Sequence, residues 1–214
     1  MAFRNLSLEH MNRQYFYSSD LAIAEQIINK AKIRRGKCLE LFAGSGYLGL
    51  ALAQISYLEV SLMDTSLDML RLAKKNIADC GLTERMRVIR GGLRGMIDLA
   101  DQSMDLVVSK RSVFFWKDKQ KLFSEIYRVL APGGMACVGG GFFENQDMRR
   151  QVERRLAEYD PDLLSRLNNQ TWNQRVQPIG KKLAAAGIAS YEMTYGDNEL
   201  WILIRKGEVY SNVG

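Results

Sequence analysis

The chain has 214 residues, which suits one domain with a hydrophobic core of its own. Its composition, 47% hydrophobic and 25% charged residues, is ordinary for a water-soluble globular protein. The net charge of +6 is spread along the sequence, which favours a solvated basic surface over an anionic partner and does not identify nucleic acid.

Cysteine and histidine usage argues against metal and disulfide chemistry. Cys38, Cys80 and Cys137 are far apart, and His10 is the single histidine. We therefore expect no zinc site and no disulfide framework, which favours a reducing cytoplasm. The first residues lack the apolar core of a signal peptide, and no run of about eighteen apolar residues predicts a membrane span.

Helical and strand-like segments alternate along the chain. Residues 1–18 are polar with an aromatic cluster, and Ser18 or Ser19 is predicted to cap the first helix. Residues 37–53 are typical of an apolar strand, a glycine turn and an apolar helix. Later strands are predicted at 58–64, 86–90, 104–109, 135–139, 190–195 and 199–205, and helices at 66–80, 118–130 and 174–186.

This alternation predicts an α/β fold of three layers, α/β/α, around a parallel sheet with right-handed crossovers. Residues 190–195 and 199–205 form a closing hairpin, which requires an antiparallel strand in that sheet. We expect one domain, 1–214, with residues 1–18 as an N-terminal lid and the polar helical segment 140–173 as an insertion.

The glycine turn is the first candidate site. Gly44, Gly46 and Gly49 fit G-x-G-x-x-G, a pattern that serves several cofactors and also occurs in tight turns without a ligand. Asp64 lies twenty residues after Gly44, at the end of the next strand. A carboxylate there can accept both hydroxyls of a ribose, although an acid that caps the following helix is the alternative.

Five sequence motifs, from Glu40 to the C-terminal hairpin, follow one another in an order that is typical of one enzyme family. They are Glu40 to Gly46 (ELFAGSG), Asp64, Asp101 to Ser109, Glu125 to Gly134, and the terminal hairpin. Together they resemble the class I S-adenosylmethionine-dependent methyltransferases over about residues 20–206. The resemblance implies a Rossmann-like, seven-stranded sheet whose last strand is antiparallel between the fifth and the sixth.

The same resemblance implies S-adenosyl-L-methionine as the cofactor. Glu40 would face the amino-acid end of the cofactor, together with main-chain groups of Ala43 and Gly44, and Thr65 and Ser66 would flank the adenosine. The implied cofactor-binding set is Glu40, Ala43, Gly44, Ser45, Gly46, Asp64, Thr65, Ser66, Gly92, Leu93 and Ser109.

One position departs from the family pattern. Family members usually follow the third strand with Gly-Asp, whose acid accepts the adenine amino group, whereas this chain has Gly91-Gly92-Leu93. Gly92 can offer only its backbone, and one lost hydrogen bond of this kind costs about 1–3 kcal/mol. The departure predicts weaker cofactor binding, or a noncatalytic relative, with Leu93 packed on the adenine.

The sequence says less about the molecule that accepts the methyl group than about the cofactor. Methyl transfer by in-line displacement needs a base only if the nucleophile must lose a proton, and the sequence identifies no catalytic residue beyond the candidates Tyr15, Tyr17 and Arg111. Lys110 and Arg111 could hold an anionic acceptor or could be exposed loop charges. Phe114, Phe115 and Trp116 could line a pocket or pack in the core.

We therefore predict methyl transfer to a small molecule that enters under residues 1–18 and 140–173. An anionic molecule is one candidate for this acceptor. The segment after the fourth strand, starting at Ser109, is not the Asn/Asp-Pro-Pro-aromatic motif of nucleic-acid amino methylases. The alternatives are a noncatalytic binding protein of the same fold and, less favoured, an RNA methyltransferase or an NAD-dependent dehydrogenase. The oligomeric state is not predicted.

Overall fold

A computed structural model of the chain describes residues 17–92, 96–110, 112–113, 116–141, 172–196 and 199–207. Its helices are α1 (Tyr17–Ala31), α2 (Tyr47–Ile55), α3 (Leu67–Asp79), α4 (Lys119–Val129) and α5 (Trp172–Ala185). Its strands are β1 (Arg35–Leu41), β2 (Tyr57–Asp64), β3 (Met86–Arg90), β4 (Met104–Lys110), β5 (Leu130–Gly141), β6 (Tyr191–Gly196) and β7 (Glu199–Arg205).

The strands form one seven-stranded sheet in the order β3-β2-β1-β4-β5-β7-β6. Strands β1 to β5 pair in parallel, and β7 lies antiparallel between β5 and β6. The predicted fold class and the place of the last strand are confirmed. Because β1 pairs with both β2 and β4, the chain leaves β1 in one direction and returns on its other side. That arrangement opens a crevice at the carboxyl ends of β1 and β4.

Alternate residues of the strands face two separate cores, as expected for a sheet covered on both faces. Cys38 and Val60 face the core that α1, α2 and α3 cover. Leu39 and Val107 face the core that α4 and α5 cover. Cys38 and Cys137 are buried in these cores, whereas Cys80 is exposed.

Two predictions about the periphery turn out differently. Ser18 and Ser19 lie inside α1, so neither caps that helix. Strand β5 begins directly after α4 and is longer than the predicted 135–139, with an irregular register between Met104 and Leu106 of its neighbour.

Most of the predicted lid 1–18 and insertion 140–173 lies outside the described residues. Within the ranges described, no helix is long and apolar enough to cross a membrane.

Candidate functional site

The loop after β1 is fastened to the end of β2. The backbone N–H of Ala43 donates to the carbonyl of Met63 at 3.0 Å, and the N–H of Gly44 donates to Asp64 Oδ2 at 2.8 Å. Gly46 has a φ of 81°, and a Cβ there would lie 2.4 Å from Leu62 Cδ1, so this turn requires glycine. The N–H groups of Ala43 and Gly44 are thus used within the protein, and the carbonyl of Ala43 accepts the N–H of Gly46 at 2.9 Å. The predicted main-chain contact with a ligand therefore has to use acceptor positions that these bonds leave unfilled on the two carbonyls.

The side above this loop is open. A Cβ built on Gly44 would meet no atom within 4 Å. The next residue, Ser45, is buried, and its carbonyl accepts a hydrogen bond from Asn76 Nδ2 of α3 at 3.1 Å. Sequence reasoning missed Asn76, because nothing in its helical context indicates a loop partner. A rigid loop with free space above it suits a ligand that approaches the main chain.

Asp64 joins two loops at once. Its Oδ2 accepts the N–H of Gly44, and its Oδ1 accepts the N–H of Ser66 at 2.9 Å. Ser66 in turn caps α3 by accepting the N–H of Met69. Ser66, and not Asp64, is therefore the cap of α3. A carboxylate has about four acceptor positions, and these amides fill only two of them on Asp64, which leaves room for the predicted ribose contact.

Glu40 is buried under α2. Its Oε2 accepts the N–H of Gly49 at 2.8 Å, and a Cβ on Gly49 would lie 2.8 Å from the same oxygen. Only a glycine lets the helix come this close to the carboxylate. Burial raises the pKa of Glu40 to about 8, against the opposite effect of the nearby Lys110 ammonium. A further positive charge beside Glu40 would lower its pKa again and favour the ionised carboxylate.

Lys110 forms an ion pair with Asp20 of α1. The side chains are 17% and 2% exposed, so the pair is largely removed from water. The prediction that Lys110 holds an anionic acceptor receives no support from this arrangement, since an acid of the protein already balances its charge. The sequence could not reveal the pairing, because Asp20 and Lys110 are 90 residues apart.

The buried Glu40 predicts a measurable dependence of stability on pH. The folded protein keeps this proton up to about pH 8, whereas an ordinary glutamate in the unfolded chain loses it near pH 4.3. Between those values the folded state binds more protons, so this group makes the free energy of unfolding fall as pH rises, by at most about 1.4 kcal/mol per pH unit.

Urea unfolding between pH 5 and pH 8 checks this, with Glu40→Gln as the matched variant because an amide oxygen can still accept the N–H of Gly49. The variant should lose less stability than the wild type as pH rises over this window. Parallel curves for the two proteins would contradict a neutral Glu40.

A chain of hydroxyls lies below the loop on the other face of the sheet. Trp116 Nε1 donates to Ser112 Oγ at 2.9 Å, Ser112 and Ser109 share a hydrogen bond of 2.5 Å, and Ser109 Oγ donates to the carbonyl of Leu41 at 3.0 Å. Ser109 uses its single hydroxyl proton on the Leu41 carbonyl, so the Ser112 hydroxyl must donate to Ser109. Ser109 is 1% exposed and supports the end of β1 from below. Trp116 packs in the core, as the second of its two interpretations predicted.

Phe42 is an unexpected member of the site. Its φ is 57°, a left-handed conformation that costs a residue with a side chain roughly 1–2 kcal/mol. Its ring centroid lies 6.2 Å from that of Trp116, whose ring packs edge-on against Phe123. Gly92 lies beside the edge of the Phe42 ring, since a Cβ on Gly92 would lie 3.7 Å from Phe42 Cε1. Phenylalanine gives no sequence signal for a positive φ, so the sequence could not indicate this orientation.

Gly92 has a φ of 83°, so the backbone itself favours glycine where the family usually has an acid. We expect Gly92→Asp to lower the free energy of unfolding by about 1 kcal/mol, since the aspartate must adopt a left-handed conformation. Gly81→Asp is the matched control, because Gly81 has a φ of 66° with no atom near its Cβ position. Thermal unfolding should show similar losses for both variants, and an unchanged melting temperature for Gly92→Asp would contradict the strain.

Several predicted residues cannot be placed. Leu93 and the catalytic candidates Tyr15 and Arg111 lie outside the described residues, as do Phe114 and Phe115. Tyr17 is described only as the first residue of α1. The structure brings together the other predicted cofactor residues at the carboxyl ends of β1, β2, β3 and β4. They are Glu40, Ala43, Gly44, Ser45, Gly46, Asp64, Thr65, Ser66, Gly92 and Ser109.

Comparison with known proteins finds methyltransferases, both by sequence and by structure. The sequence model of the family described as "Methyltransferase domain" matches residues 39–138. A crystal structure from Methanococcus maripaludis, assigned as an S-adenosyl-L-methionine-dependent methyltransferase, is 35% identical, with 94% of this chain and 91% of that chain covered and a TM-score of 0.80.

Two curated relatives are more distant. A phosphatidylethanolamine N-methyltransferase of Cereibacter sphaeroides is 28% identical over 131 residues, which is 61% of this chain. A ubiquinone/menaquinone biosynthesis C-methyltransferase of a Marinomonas species is 24% identical over 167 residues, which is 77% of this chain. The matches span 63% and 60% of the length of these two relatives.

Proposed function

This chain belongs to the S-adenosyl-L-methionine-dependent methyltransferases, and from that premise we propose that it transfers a methyl group to a small organic acceptor. S-adenosylmethionine would supply a methyl carbon on a sulfonium, and in-line attack by a nucleophile of the acceptor would break the carbon–sulfur bond and release S-adenosylhomocysteine. The proposal rests above all on one observation: Asp64 and Glu40 meet opposite ends of the same short segment, the loop and first helical turn that follow β1.

Each of these acids has a distinct part in the proposal. Asp64, with acceptor positions left after binding Gly44 and Ser66, would hold the ribose hydroxyls. Glu40 would ionise beside the cationic amino-acid end, and the positive charge would offset the burial that now keeps its proton on. The protein's contribution to the reaction is then to orient the methyl group and to exclude water from it.

The acceptor is proposed to be a small molecule of lipid-like character. Both curated relatives carry names that refer to such molecules, one to phosphatidylethanolamine and one to ubiquinone and menaquinone. Negative charge on the acceptor is not part of the proposal, because Lys110 is paired with Asp20. Acceptor contacts are assigned to residues 1–18 and 140–173, and the Asp20–Lys110 pair supports this by holding the start of α1 against the end of β4.

The test combines binding and turnover. Calorimetry should detect S-adenosylhomocysteine but not NAD, and labelled S-adenosylmethionine should transfer its methyl group to phosphatidylethanolamine vesicles or to a prenylated hydroquinone. Removal of residues 1–16, which leaves α1 intact, should reduce turnover far more than cofactor affinity. Cofactor binding without transfer to any small acceptor would favour the noncatalytic alternative, and efficient methylation of bulk RNA by the truncated chain would overturn the small-molecule proposal.

A further inference from the structure

The site has to hold a purine base without the acid that usually reads it. Asp64 ends β2, and its neighbours on either side are the ends of β1 and β3. The backbone N–H of Gly91 donates to the carbonyl of Asp64 at 3.1 Å, so the segment that contains Gly92 is held next to the ribose-binding acid. A base attached to that ribose would therefore lie close to Gly92.

Phe42 offers this base an aromatic surface. The residue follows β1, on the opposite side of Asp64 from Gly92, and its ring spans the distance between them: a Cβ on Gly92 would lie 3.7 Å from Cε1 and 3.9 Å from Cζ of that ring. Both residues are partly exposed. A side chain at position 92 would cover this edge of the Phe42 ring, and glycine leaves the edge uncovered.

The ring is also held in place. Trp116 packs against it at an interplanar angle of 32°, with centroids 6.2 Å apart, and Trp116 is itself held by Phe123 and by its hydrogen bond to Ser112. The left-handed backbone at Phe42 directs the side chain to this position. Strain of this kind persists where the surrounding structure enforces it, and it clusters at ligand sites.

We infer that the Phe42 ring, left accessible by Gly92, is the surface on which the adenine packs, so that the base is held by stacking and not by a carboxylate that reads its amino group. This inference rests on the proposed function, since it concerns the same cofactor. Stacking tolerates any base because every base has a π-face. The site should therefore accept a 6-oxopurine nearly as well as a 6-aminopurine.

Calorimetry with S-adenosylhomocysteine and S-inosylhomocysteine tests the inference directly. The wild type should bind both with an affinity ratio below about thirty, because Gly92 places no carboxylate where the family usually has one to read the 6-amino group. Phe42→Ala should weaken both ligands together, by about five- to a hundredfold. Phe42→Tyr is the matched control, keeps an aromatic ring and should bind both nearly as the wild type does.

Phe42→Gly separates the ring from the backbone, because glycine adopts the same φ without strain. It should lose affinity as Phe42→Ala does, although its melting temperature should be the higher of the two. A wild-type ratio above thirty, or unchanged affinity in Phe42→Ala, would overturn the inference and leave the proposed function standing. Failure of the wild type to bind either ligand would overturn both. The wild-type ratio decides the matter even if a variant does not fold.

Discussion

Replacing Asp64 with alanine is expected to lower the affinity for S-adenosylhomocysteine by about a hundredfold, the largest loss that we expect from a single substitution at the site. The change removes the acceptor for the N–H groups of Gly44 and Ser66 together with the proposed ribose contact. It therefore loosens the loop after β1 and the start of α3, in addition to removing a ligand contact.

Isothermal calorimetry checks this result, with Asp64→Asn as an intermediate variant, because an amide has one oxygen and can accept only one of the two N–H groups in the same way. Asp68→Ala is the matched control, since Asp68 is an exposed acid in the first turn of α3 that pairs with Arg71. The control should leave affinity unchanged. An affinity in Asp64→Ala within threefold of the wild type would show that this acid does not hold the cofactor.

The second large effect is expected at the buried ion pair. Lys110→Met should lower the free energy of unfolding by about 3–5 kcal/mol at pH 7, since it leaves the Asp20 carboxylate, 2% exposed, beside the buried Glu40. Asp20→Asn should cost less, because Glu40 lies close enough to Lys110 for their charges to interact and can ionise to balance it.

Urea unfolding of the two single variants and of Asp20→Asn/Lys110→Met measures this difference. The double variant should recover much of the loss of Lys110→Met, since it removes both charges of the pair. Arg71→Ala breaks an exposed pair, with side chains 75% and 67% exposed, and should have no measurable effect. Equal losses in both single variants would argue against Glu40 as a substitute partner.

The sequence predicts the elements of this fold well for a local reason. Short runs rich in apolar or β-branched residues, with glycines close to their ends, predict strands whether these are parallel or antiparallel. The strands β3 (Met86–Arg90) and β7 (Glu199–Arg205) accordingly have the bounds predicted for them. The positions of Gly44 and Asp64 likewise follow from local spacing along two neighbouring strands. What local pattern cannot show is which distant side chains meet.

The unpredicted parts of the site all have this character. Lys110 meets Asp20 only because β4 ends beside α1, and Asn76 reaches Ser45 only because α3 packs behind the loop. Phe42 holds a left-handed conformation beside Trp116, a residue of the segment between β4 and α4, against its own backbone preference. A sequence pattern records preferences, whereas these features arise where tertiary packing overrides them.

The position of β7 also bears on how the chain is made. A ribosome synthesises β5 and β6 before β7. In the sheet, however, β5 and β6 do not pair with each other, and each of them pairs with β7. Until residue 205 has left the exit tunnel, β5 keeps an open edge and β6 has no neighbour in the sheet. Assembly of this half of the sheet should therefore wait until translation has passed β7, while β1 to β4 can already pair on the nascent chain.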